Sequence, residues 1–182
     1  MVTRQQQIVD VAAALFAERG FHGVSVQEIG EAVGISGPAL YKHFSGKAEL
    51  LQQALTSISD RLLEEGSRRA REASDADAAL AALIDWHVDF ALTHPALIVI
   101  QEREWSTLDA SSRDRVRATQ LAYIDVWVGV LRRLRDDLDR PAARASVQAA
   151  FGLLNSTPHS ARLSDQQMRA LLTRMAHRAL LP

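Results

Sequence analysis

The chain of 182 residues has no cysteine, two tyrosines and three tryptophans. Without cysteine it has no disulfides, thiolate metal ligands or cysteine nucleophiles. Its apolar runs stay far below the roughly 20 residues that a membrane-spanning helix needs. Residues 3–7 are polar and the segment that follows is amphipathic, which is unlike a signal peptide. We therefore expect a cytoplasmic protein.

The chain also lacks an excess of positive or negative charge, since its formal net charge is -1. The chain is 47% hydrophobic and 24% charged, which is enough to form a buried core and argues against disorder. The first 50 residues carry slightly more anions than cations. Any binding of nucleic acid must therefore depend on where a few groups are placed, because there is no basic block.

The segment 25–44 is typical of two short helices joined by a tight turn. Ser25 is a good cap for the first of them, and Glu28 three residues later completes a capping box. Ile29 and Val33 are four residues apart, so they share one inward face. The segment is the most informative part of the sequence.

Gly34 suits the left-handed position that ends a helix, Ser36 is a good cap for the next one, and Pro38 falls in its first turn. The pattern directs Leu40 and Phe44 inward. The opposite face carries Ala39, Lys42 and His43, with Tyr41 at its edge. A short helix with a cation on its wet face, braced by a second helix, suits the major groove of DNA.

Helical periodicity continues along nearly the whole chain, and no strand pattern or repeat interrupts it. We expect an all-α protein of about nine helices, with a three-helix unit at residues 1–50 and a helical bundle at 51–182. The first helix has an apolar face of Ile8, Val11, Ala12, Leu15 and Phe16. Later helices are expected at about 47–71, 78–94, 95–105, 111–138, 141–155 and from 164 to the C-terminus, with Ser111 and Ser164 as caps and 156–163 as a loop.

Residues 4–55 resemble the N-terminal domain of the TetR/AcrR family of bacterial transcriptional regulators. The matching segments are Ile8–Phe21, Val26–Ile35, Leu40–Phe44 and Lys47–Leu51, in the family's order and spacing. The resemblance implies a sequence-specific DNA-binding regulator, a repressor released from a palindromic operator by a small, largely hydrophobic effector. It implies neither an enzyme nor a cofactor.

The resemblance also implies which residues face DNA: Thr3, Arg4, Ser25, Gln27, Gly37, Pro38, Ala39, Tyr41, Lys42, His43 and Lys47. Tyr41 and Lys47 match positions that contact phosphates. Gly37 departs from richer versions of the motif because it brings no side chain to the recognition helix. Lys42 is therefore the strongest candidate for a base contact.

Aromatic residues are concentrated in the second part of the chain, and two interpretations of them remain open. They are ordinary core, or they line an effector pocket with a few polar groups. The candidate pocket residues are Trp86, His87, Phe90, Gln101, Arg103, Trp105, Tyr123, Trp127, Phe151 and Asn155. Residues 94–105 with Tyr123 and Trp127 resemble relatives that sense acyl-CoA thioesters or other hydrophobic molecules.

Two apolar stripes near the C-terminus suggest how the chain assembles. They pack inward, or, as the resemblance implies, they form a four-helix homodimer interface that presents two recognition helices to a palindrome. The candidate interface residues are Val147, Phe151, Leu154, Met168, Leu171, Leu172 and Met175.

The six histidines show no paired metal-ligand spacing, so no metal site is expected, and no elbow motif surrounds Ser156–His159. Two alternatives remain open at this point. One is a DNA-binding regulator controlled by a protein partner, and the other is an all-α enzyme or scaffold that retains the fold.

Overall fold

The structure is a computed structural model that describes residues 3–181, and within this range the regular elements are all helical. The elements are α1 (Arg4–Arg19), α2 (Val26–Ala32), α3 (Gly37–Leu40), α4 (Lys47–Glu72), α5 (Ala76–Thr93), α6 (Pro95–Arg103), a 3₁₀ turn (Trp105–Thr107), α7 (Ala110–Leu134), α8 (Arg140–Leu154), α9 (Thr157–Ser160) and α10 (Asp165–Leu180). The expected all-α fold is confirmed.

The chain forms two units. Unit 1 contains the residues up to Ile58 together with Ala96–Val116, and unit 2 contains Ser59–Pro95 together with the residues from Arg117 onward. Segment 96–116, which the sequence analysis assigns to the second domain, therefore packs in unit 1. Both α4 and α7 begin in unit 1 and end in unit 2.

Unit 1 is built on α1, which buries one apolar face. Ile8, Ala12 and Phe16 on that face are fully buried. Thr3 caps the helix by accepting the Gln6 N–H at 3.1 Å, and Gly20 ends it with φ +75°, a backbone conformation that favours glycine.

Unit 2 is built around α5, whose buried residues lie on most of its circumference, as a central helix requires. α10 packs against both α5 and α8. The capping box at the start of α10 is present, since Ser164 accepts from the Gln167 N–H and the Gln167 side chain accepts from the Ser164 N–H.

Two local expectations, one for the start of a helix and one for a loop, differ from the structure. Helix α7 begins one residue before Ser111, and Asp109 takes the capping role by accepting the Ser112 N–H at 2.9 Å. The segment expected as a loop contains the short helix α9, which Pro158 can start and which Thr157 anchors by donating to the Ala91 carbonyl at 2.7 Å.

Among residues 3–181, no single helix combines the length and apolar composition that crossing a bilayer requires, and α5 and α6 meet both criteria only as an interrupted pair.

Candidate nucleic-acid interface and aromatic cluster

The α2–turn–α3 corner has the geometry that its sequence predicts. Ser25 Oγ accepts the Glu28 N–H at 3.2 Å, and Glu28 Oε2 accepts the Ser25 N–H at 2.7 Å. The Ser25 hydroxyl, which donates to Glu28 Oε2 at 2.7 Å, and the Ser25 N–H lower the pKa of Glu28, so the carboxylate stays ionised at the start of α2. Gly34 has φ +72°, the left-handed conformation expected of it.

Gly30 is a residue of this corner that the sequence analysis did not single out. A Cβ at this position would lie 2.9 Å from the carbonyl oxygen of Ile35, closer than atoms of this kind approach. The same glycine accepts the Ile35 N–H at 2.9 Å. Only glycine therefore lets the chain fold back so tightly between the two helices.

Helix α3 is short, and the residues expected to face DNA extend beyond its end. Ser36 caps it by accepting the Ala39 N–H at 3.3 Å, and Leu40 is fully buried. Tyr41, Lys42 and His43 lie in the turn after α3 and are exposed, with Tyr41 at 57%. The corner therefore presents one apolar side to unit 1 and one polar side to solvent.

An open groove runs between α2 and α3 on this solvent side. It is lined by Val26, Gln27, Glu31, Ser36, Gly37, Pro38 and Tyr41. Four of the residues expected to contact DNA, Gln27, Gly37, Pro38 and Tyr41, therefore lie on one surface, whereas Ala39 is half-buried. Gln27 donates to Glu31 Oε1 at 2.9 Å, which holds its amide in place.

Residues at the start of α1 have structural partners as well as exposure. Thr3 is used as the α1 cap, and the Arg4 guanidinium donates to the Val33 carbonyl at the end of α2. Arg4 also donates to Gln7 Oε1 at 3.3 Å. These contacts position the start of α1 beside the helix-turn-helix corner, where a phosphate contact remains a prediction.

Lys47 at the start of α4 is half-buried, and its ammonium group has defined partners. Nζ donates to the carbonyls of Phe21 at 2.8 Å and Val24 at 2.9 Å, and it lies 4.5 Å from the centroid of the Phe21 ring. An ammonium group has three donors. Lys47 therefore fixes the turn between α1 and α2, and one N–H remains for the predicted phosphate contact.

Two residues at the end of α6, which is distant in sequence, form hydrogen bonds with the end of α1 and the turn that follows it. Glu104, which is buried, accepts the Phe21 N–H at 2.9 Å, and its second oxygen accepts from Thr107 Oγ1 at 3.2 Å. Arg103 donates to the Ala17 carbonyl near the end of α1 at 3.0 Å. We call these contacts the α6 clasp.

The structure divides the ten candidate pocket residues into three groups. Gln101, Arg103 and Trp105 belong to unit 1, where Arg103 is part of the α6 clasp. Trp86 lies in unit 2 between Arg61 and Arg69, whose guanidinium groups are 5.4 and 5.0 Å from its ring. The remaining six form one group in unit 2: His87, Phe90, Tyr123, Trp127, Phe151 and Asn155.

This aromatic cluster, the group of six just named, is centred on His87. The His87 ring stacks on Phe151 with a centroid distance of 4.4 Å and on Tyr123 at 5.8 Å, and it meets Trp127 edge-on at 6.0 Å. Nε2 of His87 lies 3.1 Å from Oδ1 of Asn155. Burial lowers the pKa of His87 to about 4, against a smaller opposite effect of the Asn155 hydrogen bond.

Several polar atoms in and beside the aromatic cluster are buried without a hydrogen-bond partner in the protein. They are His87 Nδ1, Tyr123 Oη, Trp127 Nε1 and Trp86 Nε1. Burial raises the pKa of Tyr123, and the Trp127 N–H makes this rise smaller. The Trp127 N–H and the Tyr123 hydroxyl nevertheless lie outside hydrogen-bond geometry. Buried donors and acceptors of this kind are usually satisfied in folded proteins, so the cluster differs from an ordinary core.

The residues expected at a dimer interface are mostly internal. Val147, Leu154, Met168 and Leu172 lie in the core of unit 2, each at most 3% exposed. Phe151 belongs to the aromatic cluster, Leu171 is half-buried and Met175 is 43% exposed. The outer faces of the same two helices carry small or apolar side chains at the surface: Ala145, Ala149 and Gly152 on α8, and Met175 and Ala179 on α10.

Within the described part of the chain, no group of three or more histidine, aspartate or glutamate side chains is arranged to hold a metal ion.

Two sequence families match the chain. One, described as bacterial regulatory proteins of the tetR family, matches residues 8–54, and the other, described as a tetracyclin repressor-like C-terminal domain, matches residues 73–159. The first match covers the helix-turn-helix corner, and the second covers most of unit 2.

Individual proteins are similar over most of their length. The HTH-type transcriptional repressor KstR2 of Rhodococcus jostii (strain RHA1) is 28% identical over 161 residues, which cover 85% of this chain and 76% of that protein. The fatty acid metabolism regulator protein of Bacillus subtilis (strain 168) is 22% identical over 170 residues, covering 90% and 86%. The crystal structure of AibR in complex with isovaleryl coenzyme A and operator DNA superposes with a TM-score of 0.77 at 23% identity, covering 95% of this chain and 97% of that one.

Proposed function

The chain belongs to the TetR family of bacterial regulatory proteins, and on this premise we propose that it is a homodimeric repressor whose operator is released when a small, largely hydrophobic effector binds to the aromatic cluster. The family makes it a DNA-binding transcription regulator. The relatives are named as regulators, and no observation favours an enzyme or a scaffold over this function.

The DNA-binding half of the proposal rests on the solvent side of the α2–turn–α3 corner. Tyr41, Lys42 and His43 project there from a turn that Ser36, Leu40 and Gly30 hold in place. We propose that Lys42 contacts a base edge and that Tyr41 and Lys47 contact phosphates. Backbone N–H groups at the starts of α1 and α2 add contacts that need no side-chain charge, which is consistent with a net charge of -1.

The effector half rests on one observation, the buried polar atoms of the aromatic cluster that have no partner in the protein. A molecule that supplies those partners stabilises the state in which it is bound. Two relatives point to molecules with an apolar acyl chain, because one is named for fatty acid metabolism and one was crystallised with isovaleryl coenzyme A. An acyl-CoA thioester is therefore the first compound class to test.

A physical route from the aromatic cluster to the DNA-binding corner runs through α4. A Cβ at Gly66 of α4 would lie 2.4 Å from Cε2 of Tyr123, so the Tyr123 ring packs directly on the α4 backbone. An effector that moves Tyr123 therefore acts on α4. The same continuous helix begins at Lys47, which fixes the α1–α2 turn. The effector must bind better to the state that does not bind DNA.

We propose that dimerisation uses the outer faces of α8 and α10. The small side chains of Ala149 and Gly152 permit close helix approach, and Met175 supplies exposed apolar area. A symmetric dimer would present two recognition corners to the two halves of a palindromic operator.

The test begins with selection of binding sites from random double-stranded DNA by the full-length protein. We expect a palindromic consensus bound by two protomers. A panel of acyl-CoA thioesters and other apolar compounds is then screened for release of a labelled operator. A releasing compound must also bind less tightly to the protein–DNA complex than to the free protein, because coupling between two sites is reciprocal. Selection that yields no consensus would contradict the DNA-binding half, and a releasing protein partner with no releasing compound would contradict the effector half.

A further inference from the structure

Three polar atoms of the aromatic cluster belong to rings that pack against one another in the protein interior. Nδ1 of His87, Oη of Tyr123 and Nε1 of Trp127 have no hydrogen-bond partner, and none of the three side chains is more than 3% exposed. The three rings contact one another pairwise, with centroid distances of 5.8 to 6.2 Å. Each unpaired buried group destabilises the folded chain, so three at one place indicate a role other than packing.

The three atoms differ in the hydrogen bonds that they can make. Trp127 Nε1 only donates, and the Tyr123 hydroxyl both donates and accepts. His87 Nε2 faces Oδ1 of Asn155, which is an acceptor, so Nε2 carries the ring proton. Nδ1 of the neutral ring is therefore an acceptor. A molecule that satisfies the site must offer both an acceptor and a donor.

The site also offers no free positive charge to an anion. The His87 ring is neutral, because burial lowers its pKa to about 4. Arg69 acts electrostatically on Tyr123, but its guanidinium is paired with Glu65 at 2.7 Å and Asp85 at 3.2 Å. A carboxylate buried among the three rings would therefore lose its hydration without gaining a counter-ion, which is costly.

We infer that the effector places a neutral hydroxyl group among His87, Tyr123 and Trp127, and that these three residues determine its specificity. This inference rests on the proposed function, since it assumes that the effector binds at the aromatic cluster. One hydroxyl oxygen can accept from both the Trp127 N–H and the Tyr123 hydroxyl, while its own hydrogen is donated to Nδ1 of His87. A carbonyl group can only accept, and it leaves Nδ1 unpaired. The order of affinity for one hydrocarbon skeleton is therefore alcohol, then ketone, then carboxylate.

The experiment compares 1-octanol, 2-octanone and octanoate with the full-length protein at about pH 7.5, where octanoate is ionised. Binding is followed by tryptophan fluorescence, and the signal is assigned to the site by its loss in Trp127→Phe. We expect 1-octanol to bind at least about tenfold more tightly than octanoate, because the carboxylate leaves a buried charge uncompensated. His87→Phe removes the Nδ1 acceptor and should shrink this preference, whereas Phe151→Leu should weaken all three probes by the same factor.

The outcomes separate the inference from the proposed function. Octanoate binding as tightly as 1-octanol, with the Trp127 signal intact, would overturn the inference and leave the effector site in place. Loss of the alcohol preference in Phe151→Leu but not in His87→Phe would also overturn it. Absence of a Trp127 signal with all three probes would show that the effector site is not at the aromatic cluster, and the inference would fall with it.

A second measurement needs no ligand. Removing a buried hydroxyl that has no partner stabilises the folded state, so Tyr123→Phe should raise the Tm of the free protein by about 2–4 °C. A Tm that falls in Tyr123→Phe would mean that the hydroxyl is satisfied within the protein, which would overturn the inference.

Discussion

At the scale of single residues, Lys47 combines a structural role with a predicted DNA contact. Its ammonium donates to two carbonyls of the α1–α2 turn, whereas Lys42, the other lysine of the chain, is exposed. We expect Lys47→Ala to lower the free energy of unfolding by about 1–3 kcal/mol, since two carbonyls lose a charged donor. The same change should weaken binding to all DNA sequences and flatten the salt dependence by roughly one counterion.

Denaturant unfolding and salt titrations of DNA binding check both effects of Lys47→Ala. Lys42→Ala is the matched control, and it should leave the free energy of unfolding unchanged. If Lys47→Ala lowered stability but kept the parent's salt dependence, the phosphate contact would be excluded and the structural role retained.

At the same scale, His87 makes the free energy of unfolding depend on pH. Its pKa is about 4 in the folded protein and 6.5 in an ordinary environment, so the unfolded chain binds the proton first as pH falls. The contribution of His87 to stability is therefore complete above pH 6.5 and declines between pH 6.5 and about 4. Its full size is about 3 kcal/mol.

The measurement is the free energy of unfolding across that pH range in the parent and in His87→Phe, which cannot titrate. The difference between the two curves isolates His87 from carboxylates such as Glu65, whose pKa is lowered to about 2 by its hydrogen bonds with Arg68 and Arg69. Parallel curves for the parent and His87→Phe would contradict the account.

At the scale of helices and turns, the α6 clasp holds the turn between α1 and α2 through hydrogen bonds from a distant part of the sequence. Glu104→Ala would leave the Phe21 N–H buried without an acceptor, which costs about 1–3 kcal/mol. Glu104→Gln retains an acceptor oxygen, so we expect a much smaller loss. Thermal unfolding of the two variants checks this order. Equal losses in Glu104→Ala and Glu104→Gln would show that the carboxylate charge, not the hydrogen bond, is what matters.

The helices themselves could be predicted from the sequence because their signals are local. The caps at Ser25, Ser36 and Ser164 and the stop at Gly34 all lie within a few residues of the groups they bond. The α6 clasp could not be predicted, since Glu104 and Phe21 are 83 residues apart and nothing local links them. The hydrogen bond from Arg103 to the Ala17 carbonyl could not be predicted for the same reason, since 86 residues separate the two.

The surroundings of each helix face were harder to predict than the positions of the helices in the sequence. The apolar stripes of α8 and α10 were expected either in the core or at a dimer interface, and periodicity alone cannot distinguish the two because both bury apolar side chains. The structure places Leu172 and Val147 in the core of unit 2. Six of the ten candidate pocket residues share the aromatic cluster, but the density of aromatic residues in the sequence could not show that Trp86 packs against two arginines.

At the scale of the whole molecule, the proposed dimer can be tested on surface positions alone. An arginine at Ala149 or Met175 would place an unpaired charge in an apolar interface, so both variants should be folded monomers by sedimentation. Leu121→Arg changes an exposed apolar residue of α7 and should remain a dimer. Leu172→Arg is expected to unfold, because Leu172 is 3% exposed. Folded dimers of Ala149→Arg and Met175→Arg with the parent's dissociation constant would exclude the outer faces of α8 and α10.

The central claim is that the exposed turn after α3 reads a specific DNA sequence. The most direct measurement is the anisotropy of a labelled selected operator and of a scrambled duplex at one fixed salt concentration, with the parent protein and with Lys42→Ala. The account predicts that the parent prefers the operator by about a thousandfold or more. Lys42→Ala should lose about 1–3 kcal/mol of discrimination at one base pair of each half-site while keeping its nonspecific affinity. Equal affinity of the parent for the operator and the scrambled duplex, or identical ranking of operator variants by the parent and Lys42→Ala, would contradict it.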